Sequence, residues 1–250
     1  MTELISLSPS DALLLALLCV LAGMVRGFSG FALSAVVMSL GVLILPPVEL
    51  IPILWWQEIT ASILMVRGGL KEADKTVVIG LVGGSAVGLP FGLALMKSLP
   101  LETSKLVALS IIIVLAITQL ARVRMAFLAT KPGLWGSGVV AGIVAGLSQV
   151  GGMVVALYVL ARDSAPRQMR ASLVMYLFCS AVISILTLTL MGVMTQTAVI
   201  RGFALAPASA LGVVIGKSLF RPAWEPYYKP FCLILLIVLA CVALLRVLLS

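Results

Sequence analysis

Apolar residues run along this chain in long blocks, separated by short charged or Pro-rich breaks. There are eight blocks: 11–45, 48–66, 76–97, 103–121, 133–160, 168–192, 197–217 and 229–249. A transmembrane helix needs about 20 mostly apolar residues, and six of the blocks have that length. The first holds 35 residues. As a straight helix it would run roughly 52 Å at about 1.5 Å per residue, against a hydrocarbon core about 30 Å thick. The fifth is also too long for one simple span. Both are interrupted near the middle by Gly-rich segments, Gly23-Met24-Val25-Arg26-Gly27-Phe28-Ser29-Gly30 and Gly142-Ile143-Val144-Ala145-Gly146-Leu147-Ser148-Gln149-Val150-Gly151-Gly152. The pattern predicts a broken helix or helical hairpin in each.

The two interruptions match each other. A shift of 119 positions carries Ala22, Gly23, Gly27 and Ser29 onto Ala141, Gly142, Gly146 and Ser148, and Pro47 onto Pro166. A shift of 124 carries Ser85, Gly88 and Gly92 onto Ser209, Gly212 and Gly216. The chain therefore reads as two membrane repeats, 1–122 and 123–250, each a hairpin (11–45 or 133–160) followed by three spans. Charge supports the hairpins. If each long block ends on the side where it began, Arg67, Lys71, Lys75, Arg122, Arg124, Lys131, Arg162, Arg167, Arg170, Lys217, Arg221 and Lys229 share one face. Lys97, Lys105, Arg201 and Arg246 take the other. The basic face is the expected cytoplasmic one. Each repeat then crosses an odd number of times, so the repeats insert in opposite orientations and both termini lie on the non-cytoplasmic side. The expected fold is an all-α polytopic membrane protein with two inverted-topology repeats. That arrangement belongs to secondary transporters, whose substrate sites lie near the midplane where broken helices meet.

Composition agrees and narrows the chemistry. Of 250 residues, 62% are hydrophobic and 10% charged, against about 25% charged in soluble domains. The net charge of +8 reads as basic loops rather than a nucleic-acid surface. There is no His, which removes His-ligated metal and haem sites. Cys19, Cys179, Cys232 and Cys241 are scattered in apolar runs with no CxxC pair, so each reads as a small buried hydrophobe. No GxxxxGK[ST] motif is present. No cofactor or metal is expected, and Ser29 and Ser148 have no recognisable base, so an enzyme is not expected either. Small residues on the helix faces permit a homodimer.

The paired breaks carry a family resemblance. A Gly-x-Ser-Gly or Gly-x-Ser-x-x-Gly-Gly break, preceded by a small-residue helix and repeated after about 120 residues, resembles the TauE/SafE sulfite exporter family, also called the TSUP permeases. The likeness covers nearly the whole chain. It implies secondary transport, as an exporter, of a small sulfur-containing anion such as sulfite, thiosulfate or an organosulfonate; the composition suits a bacterial inner membrane. The first break departs from the pattern, with Gly30-Phe31-Ala32-Leu33 where the second has Gln149-Val150-Gly151-Gly152.

An anion suits these residues physically. A helix broken inside the membrane leaves N–H groups without intrahelical partners, and they gain a role if they line an anion site. The candidate substrate-binding residues are Arg26, Gly27, Ser29, Gly30, Gln57, Ser148, Gln149, Gly151, Gly152 and Tyr176. Arg26 lies deep in an apolar block, where a charge costs at least about 2.5–3.5 kcal/mol on insertion scales. It either binds the oxyanion or makes a permanent internal salt bridge. Its repeat counterpart is Ala145. Glu58, also deep, is either a proton-coupling carboxylate or the structural partner of Arg26. Gly84, Gly88, Gly92, Gly212 and Gly216 have the spacing of close helix approach. The leading reading is alternating access around a midplane anion site, with proton coupling through Glu58; an anion channel is the alternative.

Overall fold

The computed structural model describes residues 7–65, 72–123, 130–161, 166–219 and 225–249. Among them are ten helices and no strand. They are α1 (Pro9–Ser29), α2 (Leu33–Gly41), α3 (Pro47–Met65), α4 (Lys75–Ser98), α5 (Leu101–Leu120), α6 (Lys131–Ser148), α7 (Gly151–Ala161), α8 (Pro166–Leu190), α9 (Gln196–Leu219) and α10 (Glu225–Leu249). Seven are long and apolar enough to cross a membrane: α1, α3, α4, α5, α9, and α8 and α10 over Ala171–Leu190 and Pro230–Leu249. The chain is an all-α polytopic membrane protein. Large apolar side chains such as Phe91, Leu190 and Phe203 are exposed on its outside, as a lipid-facing surface requires.

Both long apolar blocks are broken where the Gly-rich segments fall. In the first, Gly30 (φ 81°) and Ala32 (φ 73°) are left-handed, and α2 folds back along α1. A Cβ on Gly41, at the end of α2, would stand 3.7 Å from Leu15 Cδ2, early in α1. In the second, Gln149 (φ 57°) ends α6. Gly151 opens α7 against the Ala141 carbonyl two turns back, so closely that a Cβ there would collide with it. The returning arms are short. α2 has 9 residues and α7 has 11, or roughly 14 and 17 Å at about 1.5 Å per residue. Nearly all of α2 is buried.

Glycines decide which helices pack. The most extensive contacts are α4 with α6 and α1 with α9, each joining the long arm of one hairpin to a helix from the other half of the chain. Along α4, Gly84 meets Trp135 and Gly138, while Gly88 and Gly92 abut the Val139 and Ile143 carbonyls. Along α1, Gly23 meets Ser209 and Gly212, and Gly27 meets Gly216 and Lys217. Within lipid such seams are held by close van der Waals contact between small residues. Both pairs run parallel, because residue numbers rise together along them.

The connections sort to two ends of the bundle. At one end Lys97 Nζ donates to the Met191 carbonyl (2.9 Å) and Arg201 pairs with Glu49 (2.7 Å). This end gathers the α4–α5 and α8–α9 turns and the start of α3. At the other, the Asp74 N–H donates to Ser172 Oγ (3.0 Å), joining the start of α4 to the start of α8. Running parallel to α9, α1 starts at the first end; running parallel to α4, α6 starts at the second. Lys75, Arg122, Lys131 and Lys217 belong to the second end. The other members of the expected basic face fall outside the described residues, either entirely (Arg67, Lys71, Arg124, Arg162, Arg221) or in their side chains (Arg167, Arg170, Lys229).

Candidate functional site

Arg26 sits in the last turn of α1, completely buried. Its Nη2 lies 3.3 Å from Glu58 Oε2 and donates to Ser62 Oγ at 3.2 Å. Nε and Nη1 are buried and have no hydrogen-bond partner among the described residues. Glu58, in the middle of α3, is 7% exposed. Its Oε1 accepts the Ser34 hydroxyl (2.7 Å) and the Ser34 backbone N–H (3.3 Å). Ser34 lies in the first turn of α2, so the carboxylate caps that helix in the way an anion would. Its Oε2 is at ion-pair distance from Arg26 yet makes no hydrogen bond. A buried ion pair repays its desolvation only when its remaining donors and acceptors are satisfied. Here two guanidinium nitrogens and one carboxylate oxygen are left over.

Arg26, Ser34 and Glu58 border a cavity of roughly 600 Å³, counted with its mouth. Phe31, Ala32 and Ser34 of the first hairpin form one wall, and Gln149 to Met153 of the second form another. α8 adds Tyr176, Ser180 and Ser184, and α4 adds Ser85. Tyr176 donates to Ser85 Oγ at 3.2 Å. Ala145, which the 119-residue shift aligns with Arg26, borders the same space. The cavity therefore offers a cation with free donors, several hydroxyls and a helix start on each side of one small volume. That donor set fits an oxyanion, which accepts several hydrogen bonds at once.

Six of the residues singled out in the sequence meet here: Arg26, Glu58, Gln149, Gly151, Gly152 and Tyr176. Five do not. Gly27 packs in the α1–α9 seam, where a Cβ would come within 2.7 Å of the Lys217 nitrogen. Ser29 Oγ lies 2.8 Å from the Val25 carbonyl and 2.7 Å from the Phe31 carbonyl, and accepts the Phe31 N–H (3.3 Å). It closes its own break. Gly30 is the left-handed cap of α1. Ser148 donates to the Val144 carbonyl (3.1 Å). Gln57 donates to the Gly202 carbonyl (2.9 Å) and ties α3 to α9. Neither Gly151 nor Gly152 is left-handed. They allow close packing, Gly151 on α6 and Gly152 against Leu177.

Sequence reasoning passed over Ser34, Ser180 and Ser184 and read Ser85 only as a repeat match. A signal was present for two of them: Tyr176, Ser180 and Ser184 recur every four residues, one polar stripe along an otherwise apolar helix. Ser34 had none, because its role depends on where α2 begins. No group of three His, Cys, Asp or Glu among the described residues could hold a metal.

No curated protein and no solved structure matches the chain. A family does match, over residues 15–243, which takes in both helix breaks, all of α2 to α9 and most of α1 and α10. By that match the chain belongs to the sulfite exporter TauE/SafE family, a family of membrane transporters.

Proposed function

We propose that the protein is a secondary transporter that exports a small sulfur oxyanion, sulfite or an organosulfonate, through the inner membrane of a bacterium. The anion binds between the two helix breaks. The observation that carries this reading is the wholly buried guanidinium of Arg26, a residue that borders the cavity and whose Nε and Nη1 have no partner among the described residues. Arg is permanently charged and pairs with an oxyanion through parallel N–H bonds. Tyr176, Ser85, Gln149 and the start of α7 complete the donor set.

The halves 1–122 and 123–250 are read as inverted repeats. Support comes from the reciprocal seams, α1 on α9 and α6 on α4, and from hairpins that start at opposite ends of the bundle. Alternating access follows as a rocking of one half against the other around the fixed site. The end that carries Lys75, Lys131 and Lys217 is the cytoplasmic one, with both termini opposite. Glu58 couples the cycle to protons: when protonated it gives up its hold on Arg26, which then takes the anion.

Counterflow tests the carrier mechanism. Purified protein in vesicles preloaded with unlabelled sulfite should draw in labelled sulfite transiently above its equilibrium level. Saturable uptake with this overshoot is the expected result. Flux that rises linearly with concentration and shows no counterflow would make the protein an anion channel instead.

A further inference from the structure

We infer that the carrier moves only monovalent anions, each with one proton held on Glu58, and that the complete cycle carries no net charge. This rests on the reading of the cavity as the anion site.

Charge arithmetic in the cavity is unusually simple. Arg26 and Glu58 are the only charged side chains that border it among the described residues. Glu58 faces Arg26 from α1, Ser34 from α2 and the phenol of Tyr176 from α8. The charges of the other helices around α3 lie near helix ends: Lys75 and Lys97 on α4, Glu102 and Lys105 on α5, Lys131 on α6, Arg201 and Lys217 on α9. Glu49, at the start of α3 itself, is paired with Arg201.

The site then has four states. Empty with Glu58 ionised, it is neutral, because Arg26 and Glu58 cancel. Empty with Glu58 protonated, it carries one positive charge. Loaded with a monovalent anion beside ionised Glu58, it carries one negative charge. Loaded with a monovalent anion and with Glu58 protonated, it is neutral again. An uncompensated charge in a low-dielectric interior is strongly disfavoured. The two neutral states are the ones that can pass through the occluded intermediate of a rocking cycle. The proton joins Glu58 Oε2, the carboxylate oxygen with no hydrogen bond, and leaves with the anion on the far side. One proton and one negative charge cross together, and the empty site returns neutral. A dianion cannot make the site neutral in either protonation state, so sulfate is excluded by charge although its donors and shape resemble those of the monovalent oxyanions. The apolar share of the lining, Phe31, Leu89, Val150, Met153 and Leu177, adds to the penalty for excess charge and tolerates a short organic substituent.

The test uses the full protein in vesicles, with membrane potential and pH gradient imposed independently. The probes are labelled sulfite, corrected for flux into protein-free vesicles, and labelled methanesulfonate, which is monovalent throughout. For methanesulfonate the inference predicts accumulation that changes about tenfold per pH unit and does not respond to potential; for sulfite the change per pH unit is larger, because the bisulfite carried loses part of its own proton near neutral pH. It also predicts no competition by sulfate. Net movement of one charge would instead change accumulation about 50-fold per roughly 100 mV. Glu58→Gln should retain only one-for-one anion exchange and lose net accumulation driven by the pH gradient, because its empty site carries one positive charge and cannot return. Exchange that follows potential and ignores the pH gradient overturns this inference and leaves the anion carrier standing; so does a Glu58→Gln protein that behaves as wild type. Absence of saturable exchange for both probes overturns the carrier reading and this inference with it. Should Glu58→Gln not fold, the wild-type response to potential decides alone.

Discussion

A guanidinium without water needs about as many partners as it has donors, and Arg26 has fewer. One nitrogen is shared between Ser62 and Glu58, while Nε and Nη1 are buried and unpaired in a residue that borders the cavity. An oxyanion is the partner that fits. Tyr176 gives a graded check. Tyr176→Phe removes a hydroxyl that borders the cavity and is held by Ser85, and a single hydrogen bond is worth about 1 kcal/mol, or about fivefold. Sulfite affinity should fall by about that factor with the fold intact, measured by titration calorimetry. Gln57 gives the contrasting case. Gln57→Leu should leave sulfite affinity unchanged and lower the melting temperature in detergent, because its amide bonds the Gly202 carbonyl across the α3–α9 seam. Arg26 and Glu58 were legible in the sequence because a charge inside an apolar block stands out. The serines of the breaks were not. A hydroxyl that bonds its own helix, as Ser29 and Ser148 do, has the same sequence signature as one aimed at a ligand.

At the scale of helices, backbone contact between small residues organises the bundle. Gly88 lies against the Val139 carbonyl with no room for a side chain. Gly88→Leu should force α4 from α6 and destabilise the protein by at least the 1–3 kcal/mol typical of overpacking, seen as aggregation in size-exclusion chromatography. Gly136, where a Cβ would meet nothing within 4 Å, should accept Ala without loss, which controls for a general effect of replacing glycine. The glycine spacing that sets these seams was readable along the chain, and the helices begin and end within a few residues of the apolar blocks or their breaks. The geometry of the breaks was less so. The first uses Ala32 as well as Gly30 in the left-handed region, and the second uses Gln149 while its two glycines serve packing. Left-handed residues other than Gly carry strain of about 1–2 kcal/mol, which tertiary contacts must offset, and sequence preference alone does not reveal such contacts.

On the scale of the whole molecule, the two halves are held together as much by exchange as by proximity, since each hairpin packs on a helix of the other half. The end of the bundle with Lys75, Lys131 and Lys217 is proposed to face the cytoplasm. With the native cysteines replaced, a single cysteine at Glu102 should react with an impermeant maleimide in intact cells, and one at Lys131 should react only after lysis. Both positions are exposed at opposite ends; the reverse pattern would invert the topology. The central claim is that Arg26 holds an anion between the two breaks. The most direct measurement is sulfite binding to purified wild-type and Arg26→Ala protein by titration calorimetry, with melting temperature recorded for both. Saturable binding to the wild type, abolished in a variant that still folds, is the predicted result. Binding of equal strength in Arg26→Ala would contradict the claim and leave the guanidinium as a structural partner of Glu58.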